Sequence, residues 1–173
     1  MPSKPLFLFL LCGFALKIPV VCLDSSRAKP LTYKQIIVAN IKELTLPSRI
    51  ESVDQAALEA EQFAQNAGLD EEFRSAIDMA VRESVANAVK HGNKFDDTKQ
   101  VEIKFSRLSE GFEIIVRDFG PGFDPEDISD PTKPDNLMKV SGRGILFMRA
   151  FMDEVEWSNH AGGGLVVKML KKQ

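Results

Sequence analysis

Apolar positions along this 173-residue chain fall into blocks of two different periods. Ile36 to Leu46 alternates closely enough to predict a strand, which Pro47 and Ser48 end. From Ser52 to Ala67 the apolar residues Val53, Ala56, Ala60, Phe63 and Ala67 recur at helical spacing, and Gly68 marks the stop. A second helix is predicted from Asp70, a good N-cap residue, through a first turn carrying Glu71 and Glu72 and on to Gly92. Its apolar stripe is Phe73, Ile77, Ala80, Val81, Val85 and Ala88. Val101 to Leu108 and Phe112 to Asp118 alternate on either side of Glu110 and Gly111, which predicts a β-hairpin. Phe119 to Ser141 comes next as a long Pro/Asp/Gly-rich loop, a length uncommon in compact domains unless the loop has a function such as a lid. Gly142 to Met152 reads as a helix, and Glu154 to Ser158 and Leu165 to Leu170 as a closing strand pair around Gly162 to Gly164. There is no internal repeat or low-complexity tract.

Composition narrows the class without naming it. Apolar residues make up 44% of the chain and charged residues 27%, the balance of an ordinary soluble domain with a short extension. With 25 acidic and 22 basic residues the net charge is −3, so no basic field is available to hold a nucleic-acid backbone. Cys12 and Cys22 both precede the periodic region and His91 and His160 are far apart, so neither a disulfide framework nor a metal-ligand cluster is legible.

Residues 1–35 read as an N-terminal extension and 36–173 as the domain. Leu6 to Leu16 is an apolar run after Lys4, resembling the start of a secretory signal but too short to span a bilayer. Leu11 and Val21 precede the cysteines where a lipoprotein would need a small residue, and Pro19 interrupts the run. Three readings stay open: a mis-assigned start codon, a membrane anchor or a cleaved signal. The first internal methionine, Met79, lies inside the second helix, so a later start would need a non-AUG codon.

The chemistry concentrates in three places. Within AVRESVANAVKHGN, residues 80–93, Glu83 and Asn87 are four apart and share a helix face beside the apolar stripe. A carboxylate there can take the proton of a hydroxyl nucleophile, and an amide oxygen can hold a magnesium ion that bridges nucleotide phosphates. Taken alone, such a pair is more often a solvated polar edge. Next, Asp118, Gly120 and Gly122 stand in RDFGPGF at the end of a strand, where a carboxylate can accept a hydrogen bond from an exocyclic amine; the plain alternative is a turn residue. Last, Gly142 and Gly144 in SGRGILFM open a helix, where free N–H groups suit phosphate. Arg143 between them either contacts the γ-phosphate or lies on the solvent face.

These segments, in this order, resemble the Bergerat-fold ATPases and, within them, the anti-sigma-factor serine/threonine kinases. ESVANAVKHGN is similar to that family's N box, DFGPGF to its first glycine box, SGRGILFMRAFMDEVEW to its second and GGGLVVKMLKK to its last strand. The resemblance implies an α+β two-layer sandwich: a mixed, mainly antiparallel sheet covered by helices on one face. It implies ATP and Mg2+ as cofactors, Glu83 as general base, Asn87 as magnesium ligand, Asp118 as adenine reader and residues 123–141 as the ATP lid. Gly120 and Gly122 would line the nucleotide, and Gly142, Arg143 and Gly144 would border the phosphates. It further implies a cytoplasmic protein, a sigma factor and a STAS-type anti-sigma-factor antagonist as partners, and a homodimer formed through the first strand and helix. One departure is Gly163-Gly164 where the family has Gly-Thr, which predicts weaker ATP binding through a lost hydroxyl.

Three likenesses are set aside. Asp118-Phe119-Gly120 copies the DFG of eukaryotic-type kinases, but no glycine-rich loop, VAIK-like lysine or HRD motif accompanies it. No GxxxxGK[ST] is present, which excludes a P-loop. His91 sits in the last turn before Gly92, where a partly cationic ring favours the helix dipole, so it reads as a cap rather than a phosphoacceptor. Trp157 and His160 read as parts of the closing strands. The alternative function is a nucleotide-responsive module that sequesters a partner without significant phosphoryl transfer; simple ATP hydrolysis driving a clamp ranks below it for want of a transducer domain.

Overall fold

Asp70 caps its helix as its position demands: its carboxylate accepts a 2.8 Å hydrogen bond from the N–H of Phe73 and satisfies one of the free donors of the first turn. The computed structural model describes residues 34–38, 40–122 and 143–173. In chain order the elements are β1 (Lys34–Val38), β2 (Ile41–Pro47), α1 (Glu51–Asn66), α2 (Glu71–Asn87) with a π-helical turn (Ala88–Gly92), β3 (Gln100–Arg107), β4 (Gly111–Arg117), α3 (Arg143–Phe151), β5 (Glu154–Asn159) and β6 (Leu165–Lys172). Residues 1–33 of the expected extension and the whole of the lid expectation, 123–141, lie outside the described residues, whereas Lys34 and Gln35 begin β1. No helix among the described residues is long and apolar enough to cross a membrane.

The six strands form one sheet in the order β1-β2-β3-β4-β6-β5. Two expectations are corrected here. Every pairing among the described strands is antiparallel, so the sheet is not mixed. The strand predicted from Ile36 to Leu46 is a hairpin in which Val38 pairs with Ile41. The reversal carries no glycine or proline, and Asn40 alone favours a turn there, so the apolar pattern runs on without punctuation.

Helices cover one face, giving the α+β two-layer arrangement. Alternation along β2, β3 and β4 sends Leu44, Leu46, Ile103, Phe105, Phe112 and Ile114 into the core against α1 and α2. Phe63 of α1 stands edge-on to Phe112 at 5.7 Å between centroids and 6.4 Å from Phe105, while those two strand residues are 6.2 Å apart. Ala56, Ala60 and Ala64 are fully buried, so the small side chains of α1 bring its backbone close to its neighbours. Lys42, 5% exposed, points inward too and is neutralised by the Glu59 carboxylate of α1 while donating to the Glu59 carbonyl. Gly68, at φ +74°, turns the chain out of α1, as expected of a helix stop.

Phe112 anchors β4 in this aromatic cluster near the start of the strand, at the end away from Asp118. Phe112→Ala is expected to cost about 3–5 kcal/mol, read from urea unfolding, with the ATP affinity of the remaining folded protein unchanged.

Candidate functional site

Helix α2 loses its 3.6-residue register at its last turn. The N–H of Asn93 bonds the carbonyl of Ala88 at 2.8 Å, closing a π-helical turn that delivers Gly92 and Asn93 against the segment after β4. Such turns recur at functional sites because the extra residue re-aims the chain beyond it. Past it, Lys94 and Phe95 both adopt the left-handed conformation, at φ +56° and +59°, and Phe95 is left exposed.

The glycines here are required by close approach. A Cβ at Gly92 would lie 2.2 Å from Asp118 Oδ2, and one at Gly120 would lie 2.2 Å from the Gly92 carbonyl oxygen. The end of α2 and the loop after β4 therefore pack backbone against backbone, with the Asp118 carboxylate on bare glycine. Asp118 is 4% exposed. Its Oδ1 accepts from the N–H of Gly120 at 2.8 Å and from the N–H of Leu165 at 3.1 Å. Among the described residues Oδ2 accepts no hydrogen bond. Arg117 braces the outside of the same loop: its guanidinium lies 4.3 Å from the centre of the Phe119 ring, pairs with Glu102 and donates to the Gly163 carbonyl.

Asp118 lies in the wall of a cavity of about 320 Å³, within the size range of small-molecule sites, about 300–1,000 Å³. Val116, Ile145, Met148, Leu165 and Val167 supply apolar walls, and Asn87 and His91 supply polar groups. Apolar walls and a carboxylate oxygen that accepts no hydrogen bond among the described residues suit a largely apolar ring that carries a donor group. Beside the cavity, the first turn of α3 crosses α2: a Cβ at Gly144 would lie 2.6 Å from Glu83 Oε2 and 3.2 Å from Asn87 Nδ2. Glycine here lets the start of α3 approach both polar side chains without displacing them.

The residues singled out from sequence are distributed around this cavity. Asn87, Asp118 and Gly122 line it, and Gly120 makes the contact with Gly92 that sets its floor. Gly122, at φ +76°, faces Asn159. Glu83 is not among the lining residues; its carboxylate lies over Gly144, one turn before Asn87 along α2. Gly142 lies outside the described residues, and Arg143 begins α3. His91 is exposed in the last turn, as expected, and also borders the cavity. Trp157 belongs to β5, whereas His160 lies in the turn beyond it, where its Nδ1 accepts from the N–H of Gly162.

Two features here lay beyond sequence reasoning: the backbone packing at Gly164 and the burial of Asn93. A Cβ at Gly164, which stands at φ +91°, would lie 1.9 Å from the Asp118 carbonyl oxygen, so no side chain fits there. The next residue, Leu165, offers its side chain to the cavity as apolar wall. Asn93, fully buried, received no role; its place directly after the helix-ending glycine was the available signal.

A family model described as a histidine kinase-like ATPase domain matches residues 46–171, and the chain belongs to that family. Within it the chain is similar to the serine-protein kinase RsbW of Bacillus subtilis, at 31% identity over 130 residues that make up 72% of this chain and 81% of the relative. It is likewise similar to RsbW of Bacillus licheniformis, at 30% identity over 77% of this chain and 86% of the relative, and to RsbW of Oceanobacillus iheyensis, at 29% over 69% and 80%.

Gly92→Ala separates site from fold. Its added methyl group meets Asp118, so ATP affinity is expected to fall by about tenfold or more, equivalent to at least about 1.4 kcal/mol, by titration calorimetry. The circular dichroism spectrum is expected to stay native.

Proposed function

We propose that this chain is an ATP-dependent serine/threonine protein kinase that acts as an anti-sigma factor. It phosphorylates a STAS-type antagonist protein and sequesters a sigma factor when that antagonist is phosphorylated. The observation that carries the reading is the convergence of Glu83 and Asn87 on Gly144, beside a cavity walled by Asp118. Family membership and the serine-protein kinases among the relatives support it.

The roles rest on chemistry and position. Asp118 Oδ2 accepts from the adenine amine, while Oδ1 is held by backbone donors. Asn87 offers one amide oxygen to magnesium. Among the described residues no group of three or more His, Cys, Asp or Glu side chains is placed to hold a metal, which fits an ion coordinated mainly by phosphates and water. Bound Mg2+–ATP supplies the phosphoryl group and neutralises the charge that develops on it. Glu83, outside the nucleotide cavity, takes the proton of the acceptor hydroxyl. Gly142, Arg143 and Gly144 border the phosphates at the N-terminus of α3, where backbone N–H groups favour anions. The protein is cytoplasmic, acts as a homodimer and does not contact nucleic acid directly.

The test incubates the protein with labelled ATP, magnesium and candidate antagonists from the same genome. Label is expected on a serine or threonine of one candidate. Glu83→Ala is expected to bind ATP normally and to lose transfer by about 10²–10⁴-fold, the usual worth of a general base; equal transfer would refute the base assignment. Asn87→Ala is expected to lose the magnesium dependence of ATP binding. Tight ATP binding with no label on any candidate would favour the alternative, a nucleotide-responsive sequestering module.

A further inference from the structure

Asn93 has no exposed surface and makes three hydrogen bonds of 2.8 Å, each to a different segment. Its N–H donates to the Ala88 carbonyl and closes the π-helical turn. Its Nδ2 donates to the Gln100 carbonyl at the start of β3, and its Oδ1 accepts from the N–H of Phe119, the residue after Asp118. On the opposite side, the Asp118 N–H donates to the Leu165 carbonyl at 3.0 Å and Oδ1 accepts from the Leu165 N–H at 3.1 Å. Asp118 is therefore fixed from the β6 side by backbone and from the α2 side by one side chain.

We propose that Asn93 is a positioning residue for recognition of the nucleotide base. It clamps the loop after β4 to the end of α2 and so sets where Asp118 Oδ2 points. This rests on the reading of Asp118 as the acceptor of the adenine amine.

The two ends of the side chain have opposite needs, a donor toward Gln100 and an acceptor toward Phe119, and a primary amide supplies both from one planar group. A carboxylate would lose the donor and bring a second buried negative charge to the segment that carries Asp118. An apolar residue of similar size would leave a carbonyl and an N–H without partners in a place closed to water. Glycines at 92 and 120 leave no side-chain packing to hold the two backbones in register, so the hydrogen bond from Phe119 to Asn93 is the directional tie between them.

The experiment compares the dissociation constants of ATP and of purine riboside 5′-triphosphate, which lacks the exocyclic amine. Full-length wild type, Asn93→Leu and Asp118→Asn are measured in magnesium by titration calorimetry, with urea unfolding alongside. Wild type is expected to prefer ATP by about 10–100-fold, the worth of a hydrogen bond to a charged acceptor. In Asp118→Asn the backbone donors hold the amide oxygen, so its NH2 faces the base amine and the preference disappears. In Asn93→Leu the preference is expected to fall to within about threefold, because a mispositioned acceptor makes no directional bond.

A residue with a structural role alone would lower the unfolding midpoint and leave the preference at the wild-type value. That result would overturn the proposal. Retention of the preference in Asp118→Asn would instead overturn the reading of Asp118, so the two failures are distinguishable. Should Asn93→Leu fail to fold, Asn93→Ser, whose hydroxyl is too short to span both partners, is measured in its place with the same expected fall and the same refuting result.

Discussion

The site depends on a contact made by residues without side chains. Gly92 at the end of α2 and Gly120 after β4 meet backbone to backbone, and neither position tolerates a Cβ without overlap to about 2.2 Å. This contact seats a buried carboxylate directly on a helix end. Gly164 repeats the device from β6, where a Cβ would overlap the Asp118 carbonyl oxygen. Asp118 is thus surrounded by close-packed backbone on two sides. Backbone N–H groups hold one of its oxygens, and the geometry leaves the other for a ligand. Side chains move between rotamers, whereas backbone in a packed sheet and helix does not, so the carboxylate is set before any ligand arrives.

The second constraint is the crossing of α2 and α3 at Gly144. Glu83 and Asn87 belong to one helix face by spacing alone, yet face sharing does not separate a solvated edge from a site. What separates them is the arrival of α3 with glycine at the point of contact, close enough that a methyl group would touch both polar side chains. Asn87 thereby faces the cavity while Glu83 stands outside its lining. One helix turn divides an amide in the cavity lining from a carboxylate outside it.

Much of this was legible in the sequence where a local rule is strong. The Asp70 cap, the Gly68 stop, the β3–β4 hairpin and the closing strand pair come from capping chemistry, turn residues and period-two alternation, all short-range effects. Asp118 and Asn87 were singled out through resemblance and chemistry, and both line the cavity. The features that escaped depend on partners distant in sequence. The reversal near Asn40 has no glycine or proline to announce it, and the all-antiparallel order depends on how strands far apart in the chain find one another. The π-helical turn leaves no mark on the apolar stripe of α2. Asn93 acquires its role from carbonyls and N–H groups on two other elements, so nothing beside it in the chain identifies it. Gly163-Gly164 invited comparison with a hydroxyl-bearing motif, but the positive φ at both positions and the overlap at Gly164 exclude a side chain there.

That exclusion changes the meaning of the last glycine segment. A lost hydroxyl argues for weaker binding only if it would have reached the ligand, and at position 164 no such group could be housed. Leu165 serves two purposes at once: its backbone N–H and carbonyl both bond Asp118, and its side chain adds apolar wall to the cavity. In a site already lined by Val116, Ile145, Met148 and Val167, further apolar surface strengthens burial of a flat ring while offering it no polar contact. Under the proposed reading, base discrimination falls chiefly on Asp118, with Asn87 and His91 as further polar side chains in the lining. Ring burial is insensitive to where the exocyclic groups sit, so on the proposed reading selectivity for the base rests on how firmly one carboxylate oxygen is aimed.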